Sequence, residues 1–150
     1  MKRDTFPRRL IRGAEAGIAG TFAIQEAMAL QKNLHAAATP PMRQEPADFL
    51  LDHVPVPIPK MIRPYAKKAA QLGYGVAFGV LYSAVRKRPR NVMLEGALLG
   101  LVTWATGYLG WLPAVHILPA PKRQSAAQLS GPIATHLVYG IATVAAYSKV

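Results

Sequence analysis

Three long windows of this chain contain no Asp, Glu, Lys or Arg. They are residues 69–85, 96–121 and 124–148. A helix needs about 20 predominantly apolar residues to cross the roughly 30 Å hydrocarbon core of a bilayer. The second and third windows are long enough for this, and the first lies at the lower limit. The pattern therefore predicts membrane-spanning helices in all three windows.

A fourth apolar stretch, 13–31, comes earlier and is the least hydrophobic, because it contains Glu15 and Glu26. Basic residues before it are also typical of the start of a secretory signal peptide. However, the two glutamates interrupt the apolar region, and the following "LHAAATPP" is only a loose cleavage site. We therefore expect a retained helix here rather than a cleaved signal.

The four stretches together predict an all-α fold, a polytopic membrane protein with a bundle of four transmembrane helices in a single domain, 1–150. A long proline-rich outer loop, 35–64, follows the first span, and its "PADFLLDHV" segment is able to form a short helix at the membrane surface. Asn91 is placed to cap the third span. The predicted spans one to four are 9–33, 65–86, 92–113 and 125–148.

Two sequence similarities indicate an internal repeat. "YGVAFGVLYS" at 74–83 and "YGIATVAAYS" at 139–148 share Tyr, Gly, Ala, Tyr and Ser at the same offsets. "EAGIAG" in span one and "EGALLG" in span three also share a glutamate and a final glycine. Spans one and two thus resemble spans three and four, which predicts two tandem helix hairpins that arose by duplication. Parallel repeats of this kind occur in transporters.

Small residues recur at helical spacing within the predicted spans. Helices in a bilayer associate through close backbone packing, which glycine permits, because lipid is as apolar as the helix surface. A homo-oligomeric contact is the alternative use of such a glycine face. The glycines that we expect at helix–helix contacts are Gly17, Gly20, Gly75, Gly79, Gly96, Gly100 and Gly140.

Basic residues cluster before span one and in the short turn "RKRPR", 86–90. The positive-inside rule therefore places both termini in the cytoplasm and the proline-rich loop outside. Two glutamates lie about one turn inside the cytoplasmic boundary, where ion pairs with basic side chains are expected. The residues predicted to form these interfacial pairs are Glu15, Glu95, Arg12 and Arg88.

A polar stripe runs along span four through His136, Tyr139 and Thr143, and span two carries an equivalent stripe that includes Gln71 and Tyr74. One interpretation is packing, with these side chains hydrogen-bonded between helices. The other is a polar seam at the centre of the bundle, in which His136 takes up protons near neutral pH. Span one would add a carboxylate near the outer boundary, so the candidate seam is Glu26, His136, Tyr139 and Thr143.

Composition excludes several functional classes. Apolar residues make up 51% of the chain and charged residues 17%, against about 25% charged in soluble domains. The net charge of +11 therefore favours anionic lipid head groups as partners over nucleic acid, for which there is no recognition motif. Cysteine is absent and the four histidines are scattered, which disfavours a metal site. We predict no catalytic, metal-binding or cofactor-binding residue.

The segments "GYGVAFGVLY", "EGALLGLVTWATGYLGWLPAVHILPAPKRQ" and "GPIATHLVYG" resemble the YagU-like family of small bacterial inner-membrane proteins. The resemblance covers about two thirds of the chain and is strongest over 73–140. It matches His136, Tyr139 and Gly140 to the final helix of the family and Pro113 to the exit of its third helix. It implies a polytopic protein of the bacterial inner membrane and supplies no reaction.

We therefore predict a small integral membrane protein with a structural or interaction role and no catalysis. Its expected partners are the lipid bilayer with its anionic head groups, and a second copy or another membrane protein. The main alternative is a small transporter or proton-linked permeation unit that uses the polar seam. An enzyme acting on lipid and a protein outside the membrane are further alternatives.

Overall fold

The computed structural model of this protein describes residues 5–33 and 42–149. These residues form helices and connecting turns without a β-strand, so the predicted all-α fold is confirmed for this part of the chain. Residues 35–41 of the predicted proline-rich loop lie outside the described residues.

The long helices correspond closely to the four predicted spans. The third predicted span is observed as α4, a π-helical turn and the short α5 in succession, and the short helix predicted in the long loop is present as α2. The elements are α1 (Phe6–Asn33), α2 (Pro46–Asp52), α3 (Arg63–Val85), α4 (Val92–Ala105), the π-helical turn (Thr106–Trp111), α5 (Leu112–Ala114), a 3₁₀ turn (Pro121–Arg123) and α6 (Ala126–Lys149).

The helix boundaries follow from residues that favour helix ends. Pro46 and Pro64 lie in the first turns of α2 and α3, where a missing N–H costs no hydrogen bond. Asn91 precedes α4, and its Oδ1 accepts a hydrogen bond of 3.0 Å from the Leu94 N–H. The predicted cap is thus confirmed, and such a cap contributes about 1 kcal/mol.

The long helices pack side by side in an order that differs from their order in the chain. α1 lies against both α3 and α6, and α6 also lies against α4. The backbones of α3 and α4, although joined by a short turn, remain farther apart. Large side chains occupy the space between these two helices, among them Phe78, Tyr82 and Leu99.

Glycines occupy the helix crossings. A methyl group added at Gly17 of α1 would lie 2.6 Å from the Gly75 carbonyl oxygen of α3, and one at Gly96 of α4 would lie 2.5 Å from the Ile141 Cα of α6. Carbon atoms do not approach this closely, so larger residues would force the helices apart. The predicted packing glycines are all buried at these crossings or at the crossing of α1 with α6: Gly17, Gly20, Gly75, Gly79, Gly96, Gly100 and Gly140.

Two segments within the described residues are long and apolar enough to cross a membrane. They are Val92–Ala114 and Gln128–Lys149, which correspond to spans three and four. α1 carries several charged residues and α3 begins with a basic, glutamine-containing turn, which lowers their mean hydropathy. By length and composition, the structure therefore supports two candidate spans. These two criteria do not support the predicted topology with four spans.

Candidate functional site

A cavity of about 390 Å³ lies among α1, α3, α4, the π-helical turn and α6, and α2 covers it. It is situated at the end of the molecule that is opposite the "RKRPR" turn, and this region is called the cavity end below. Its walls combine apolar side chains with tyrosine, threonine, glutamine and histidine. The lining includes Thr21, Ile24, Gln25, Met28, Ala47, Leu50, Gln71, Tyr74, Thr103, Gly107, Tyr108, Trp111, His136 and Tyr139.

The π-helical turn shapes one wall of this cavity. It follows α4 directly, and the backbone of Gly110 departs from helical geometry, with φ −100° and ψ −105°. Single π-turns in helices are often found at functional sites. Gly107, Tyr108 and Trp111 all come from this turn and all line the cavity. The wider turn thus contributes three residues, two of them aromatic, to one wall.

His136 of α6 has a defined hydrogen-bonding state. Its Nδ1 lies 2.7 Å from the Pro132 carbonyl oxygen one turn earlier, and because a carbonyl can only accept, Nδ1 donates. In the neutral ring Nε2 is then the acceptor nitrogen. The edge of the ring meets Tyr108 with the ring centroids 5.8 Å apart. His136 therefore presents a hydrogen-bond acceptor at the cavity wall.

The two tyrosines that the predicted repeat aligns differ in their bonding. Tyr139 is buried, and its hydroxyl donates a 2.6 Å hydrogen bond to the Gly75 carbonyl oxygen. The hydroxyl of Tyr74 is also shielded from solvent, but it makes no hydrogen bond of normal geometry to the described residues, although it approaches the side chain of Trp111. The hydroxyl of Tyr74 is therefore a buried polar group that lies beside Trp111 rather than on the open surface of the cavity.

The threonines of the site satisfy their hydroxyls within their own helices. Thr21 donates to the Gly17 carbonyl and Thr103 to the Leu99 carbonyl, each at 2.8 Å. Such bonds to the preceding turn leave little capacity to donate to a ligand. Among these inner polar residues, His136 is the one that keeps a hydrogen-bonding atom without a described partner at the cavity wall.

The floor of the cavity is closed by tightly packed side chains. Tyr139 and Val144 are almost completely buried, and Phe78 and Tyr82 pack against them. Farther along, Tyr147 is fully buried and its hydroxyl donates to the Arg86 carbonyl oxygen at 3.0 Å. The cavity therefore ends within the packed helices, on the evidence of the residues described.

The opposite end of the molecule, the basic end, consists of the start of α1, the "RKRPR" turn and the end of α6. Glu95 is its central acceptor: it binds Arg86 through contacts of 2.6 and 2.9 Å and accepts a 2.8 Å hydrogen bond from the Tyr82 hydroxyl. Its partner is thus Arg86, whereas the sequence analysis named Arg88. Arg88 is exposed in the turn.

The other two residues of the predicted interfacial pairing lie on α1. Arg12 donates a 3.1 Å hydrogen bond to the Tyr147 carbonyl oxygen, and its guanidinium lies 4.9 Å from the Tyr147 ring centroid. Glu15 is exposed on the outer side of α1. Arg12 therefore connects α1 to the end of α6, which is a role that its spacing from Glu15 did not indicate.

α2 is held over the cavity by charged side chains. Asp48 accepts hydrogen bonds from Lys67 at 2.8 Å and from Arg63 at 3.1 Å, and Asp52 accepts one from Arg63 at 2.6 Å. The hydrogen bond from Lys67 lowers the pKa of Asp48, and that from Arg63 lowers the pKa of Asp52. Phe49 adds an apolar contact to the buried cluster formed by the π-helical turn, α5 and the segment after α5.

The candidate polar seam is only partly assembled. His136 and Tyr139 line the cavity. Thr143 lies one turn deeper, fully buried, and donates to the Tyr139 carbonyl. Glu26 is exposed on α1 and does not belong to the cavity wall. The cavity itself was not predicted from the sequence, although the stripe through Gln71 and Tyr74 contained two of its lining residues.

Comparisons with protein-family models, with curated proteins and with solved structures found no match to this chain. The resemblance to the YagU-like family therefore stays a prediction. The function is therefore inferred from the geometry of the described residues.

Proposed function

We propose that this chain is a small multi-pass membrane protein with a structural or interaction role and no catalysis. In this proposal the chain crosses the bilayer four times. The crossing elements are α1, α3, α4 together with the π-helical turn and α5, and α6. The observation that carries the proposal is the inverted distribution of polarity: the contacts between helices are made largely by glycine and hydroxyl residues, and many large apolar side chains face outward.

The outward apolar residues come from all four long helices. The side chain of Phe22 is 61% exposed, that of Leu81 59% and that of Leu98 53%. A water-soluble protein buries such residues and rarely exposes a contiguous apolar patch of more than a few hundred Å². Thr21, Ser83 and Thr143 are buried instead. Lipid around the helices accounts for the exposed apolar side chains and for the buried hydroxyl residues.

If the four long helices lie in the bilayer, the positive charge of the basic end favours an orientation with this end in the cytoplasm. Several cations of this end are exposed, and each basic residue near an anionic lipid surface contributes about 1 kcal/mol. The resemblance to the YagU-like family supports the bacterial inner membrane as the location. The exposed cations of the basic end are Arg8, Lys87, Arg88, Arg90 and Lys149.

Proton-linked permeation is less well supported by the geometry. A permeation path requires polar groups that continue from one surface to the other. Here Phe78 and Val144 occupy the position below the cavity, and Glu26 faces outward. We therefore propose a non-conducting protein, and flux that depends on His136 would contradict this part of the proposal.

Cysteine accessibility tests the topology, and the natural absence of cysteine makes single-cysteine variants unambiguous. In intact cells, a membrane-impermeant maleimide is expected to label Pro59→Cys and Lys122→Cys at the cavity end. Arg88→Cys at the basic end should label only after the membrane is permeabilised. Labelling of all three positions from the same side would reject the orientation.

A second pair of variants separates four spans from two. Phe22→Cys on α1 and Leu98→Cys on α4 both place the thiol on an outward, apolar surface. If both helices cross the bilayer, neither thiol reacts with the water-soluble reagent before denaturation. Rapid labelling of Phe22→Cys together with protection of Leu98→Cys would show that α4 spans and α1 does not.

A further inference from the structure

We infer that the cavity end binds the head group of one anionic phospholipid, a phosphodiester with a single negative charge, in an open pocket between α2 and the start of α3. This pocket is separate from the cavity beneath α2, although Gln71 borders both. The inference deepens the proposed function, and it rests on that proposal for the depth of α3 in the bilayer.

The wall of this pocket is mainly cationic. Its volume is about 440 Å³, within the range of small-molecule sites, which is roughly 300–1,000 Å³. α3 contributes Arg63, Lys67 and Lys68, and the segment before α3 contributes Lys60. Asp48 of α2 is the acidic residue of the wall. Four basic residues and one acidic residue thus favour an anion as the ligand.

The neighbouring carboxylates do not neutralise all four cations. Among residues 5–33 and 42–149, Lys60 and Lys68 form no ion pair with a carboxylate. The four cations and three nearby carboxylates leave one positive charge uncompensated, and a phosphodiester neutralises it. Arg63 and Lys67 are already paired with these carboxylates, which belong to α2 and to the residue before it: Glu45, Asp48 and Asp52.

Exposed apolar side chains follow Lys60 along the chain and precede Lys68. The side chains of Met61, Ile62 and Tyr65 are 85%, 50% and 73% exposed. Tyr65 precedes Lys68 by three residues on α3, so these two side chains lie on the same side of the helix. Tyrosine and lysine together are typical of the boundary between lipid and water. A phospholipid can contact both the lysines and the apolar side chains, whereas an inorganic anion uses the lysines alone.

The position of the pocket along α3 matches the depth of lipid head groups. Lys68 is the last charged residue before the charge-free window 69–85. If α3 crosses the bilayer, this window lies in the hydrocarbon core, and residues 60–68 lie at the level of the phosphates. Basic pockets beside transmembrane helices bind anionic head groups. A zwitterionic phospholipid is less suitable, because the lysines repel its ammonium group.

Calorimetric titration of the full-length protein in a non-ionic detergent tests the inference with two short-chain lipids. Dihexanoyl phosphatidylglycerol carries one negative charge. Dihexanoyl phosphatidylcholine has the same chains and phosphate, but an ammonium group cancels its charge. We expect the glycerol lipid to bind saturably and the choline lipid to bind at least about tenfold more weakly, since each lysine near the phosphate contributes. Equal affinity for the two lipids, or no saturable binding of the glycerol lipid, would overturn the inference.

Inorganic phosphate distinguishes a lipid site from a site for free anions. It should bind more weakly than dihexanoyl phosphatidylglycerol, because it makes no contact with Met61 or Tyr65. Binding of inorganic phosphate as tight as that of the lipid would reject a phospholipid as the ligand.

Matched charge changes locate the site. Lys60→Gln together with Lys68→Gln should weaken binding of the glycerol lipid at least about tenfold. Both lysines are exposed, so the fold should persist, as circular dichroism can verify. Lys60→Arg together with Lys68→Arg keeps both charges and should retain binding. The control is Lys87→Gln together with Arg88→Gln, which removes two exposed cations at the basic end and should leave the saturable site unchanged.

The variants also define results that contradict the site. Equal weakening by the two glutamine pairs would show an effect of net charge and reject the pocket. Loss of binding in the arginine pair as well would reject charge recognition by these two positions.

The outcomes remain distinct from those of the topology experiment, because titration in detergent does not depend on how many helices cross a bilayer. A water-accessible Phe22→Cys together with saturable binding of the glycerol lipid would reject the four-span proposal alone. Protection of both Phe22→Cys and Leu98→Cys without saturable binding would reject the lipid site alone.

Discussion

The basic end and the cavity end of this molecule are closed in different ways. At the basic end, Glu95 and Tyr147 join the helices directly to one another through hydrogen bonds. At the cavity end, the helices leave a space, and the separate short helix α2 covers it through ion pairs with α3. One end is therefore closed by the helices themselves and the other by an added element.

The tyrosines of the predicted repeat show the consequence. Tyr82 and Tyr147 both lie at the basic end, and both hydroxyls donate hydrogen bonds. Tyr74 and Tyr139 are the corresponding pair at the cavity end, where only Tyr139 has a bond of normal geometry in the described structure. Similar sequences thus meet different surroundings, and the hydroxyl of Tyr74 lies buried beside Trp111 of the π-turn.

The largest expected effect comes from a change at Gly100, where α4 crosses α6. Gly100→Leu should destabilise the protein by about 3 kcal/mol or more, because a side chain there overlaps the backbone of α6 at His136 and Leu137. Thermal unfolding in detergent, followed by circular dichroism, measures the loss. Gly73→Leu is the control, and a similar decrease in Tm for both variants would show that the Gly100 crossing is not required.

An intermediate effect is expected from a change confined to the basic end. Glu95→Gln removes the ion pair with Arg86 and weakens the bond from Tyr82, which should cost about 1–3 kcal/mol because the carboxylate is largely buried. The control is Glu15→Gln at an exposed position, where the change should be within about 0.5 kcal/mol. Equal effects of the two variants would contradict the role of Glu95.

The smallest effect is expected at the cavity end on acidification. The folded-state pKa values of Asp48 and Asp52 lie below their ordinary value of 3.8. Their stabilising contribution is therefore complete above about pH 4 and is lost as the pH falls through the lowered folded values. Protonation should release α2, with a red shift of tryptophan fluorescence as Phe49 leaves the cluster that contains Trp111.

The Asp48→Asn variant provides the comparison for this acid transition. It should already show part of the red shift at pH 6 and a smaller further change on acidification. A transition of the same size and midpoint in the variant and the parent protein would mean that the Asp48 ion pairs do not hold α2 in place.

Local features of the sequence determined the helical content of this protein. Charge-free windows, prolines in first turns and the Asn91 cap define helix ends through interactions within a few residues, so they could be predicted without any knowledge of packing. The short helix α2 was predictable for the same reason. The charged residues of α1 and α3 reduce the mean hydropathy of these helices. Composition therefore does not by itself identify α1 and α3 as membrane spans.

Contacts between distant residues were decided only by the tertiary structure. α3 ends at Val85, and the chain then turns so that Arg86, rather than Arg88, reaches Glu95. The rotation of α1 places Glu26 outside and Gly20 inside, and the π-turn after α4 brings Trp111 beside the hydroxyl of Tyr74. Such outcomes depend on how helices rotate and cross, which is set by the packing of whole surfaces and not by the spacing of residues along one helix.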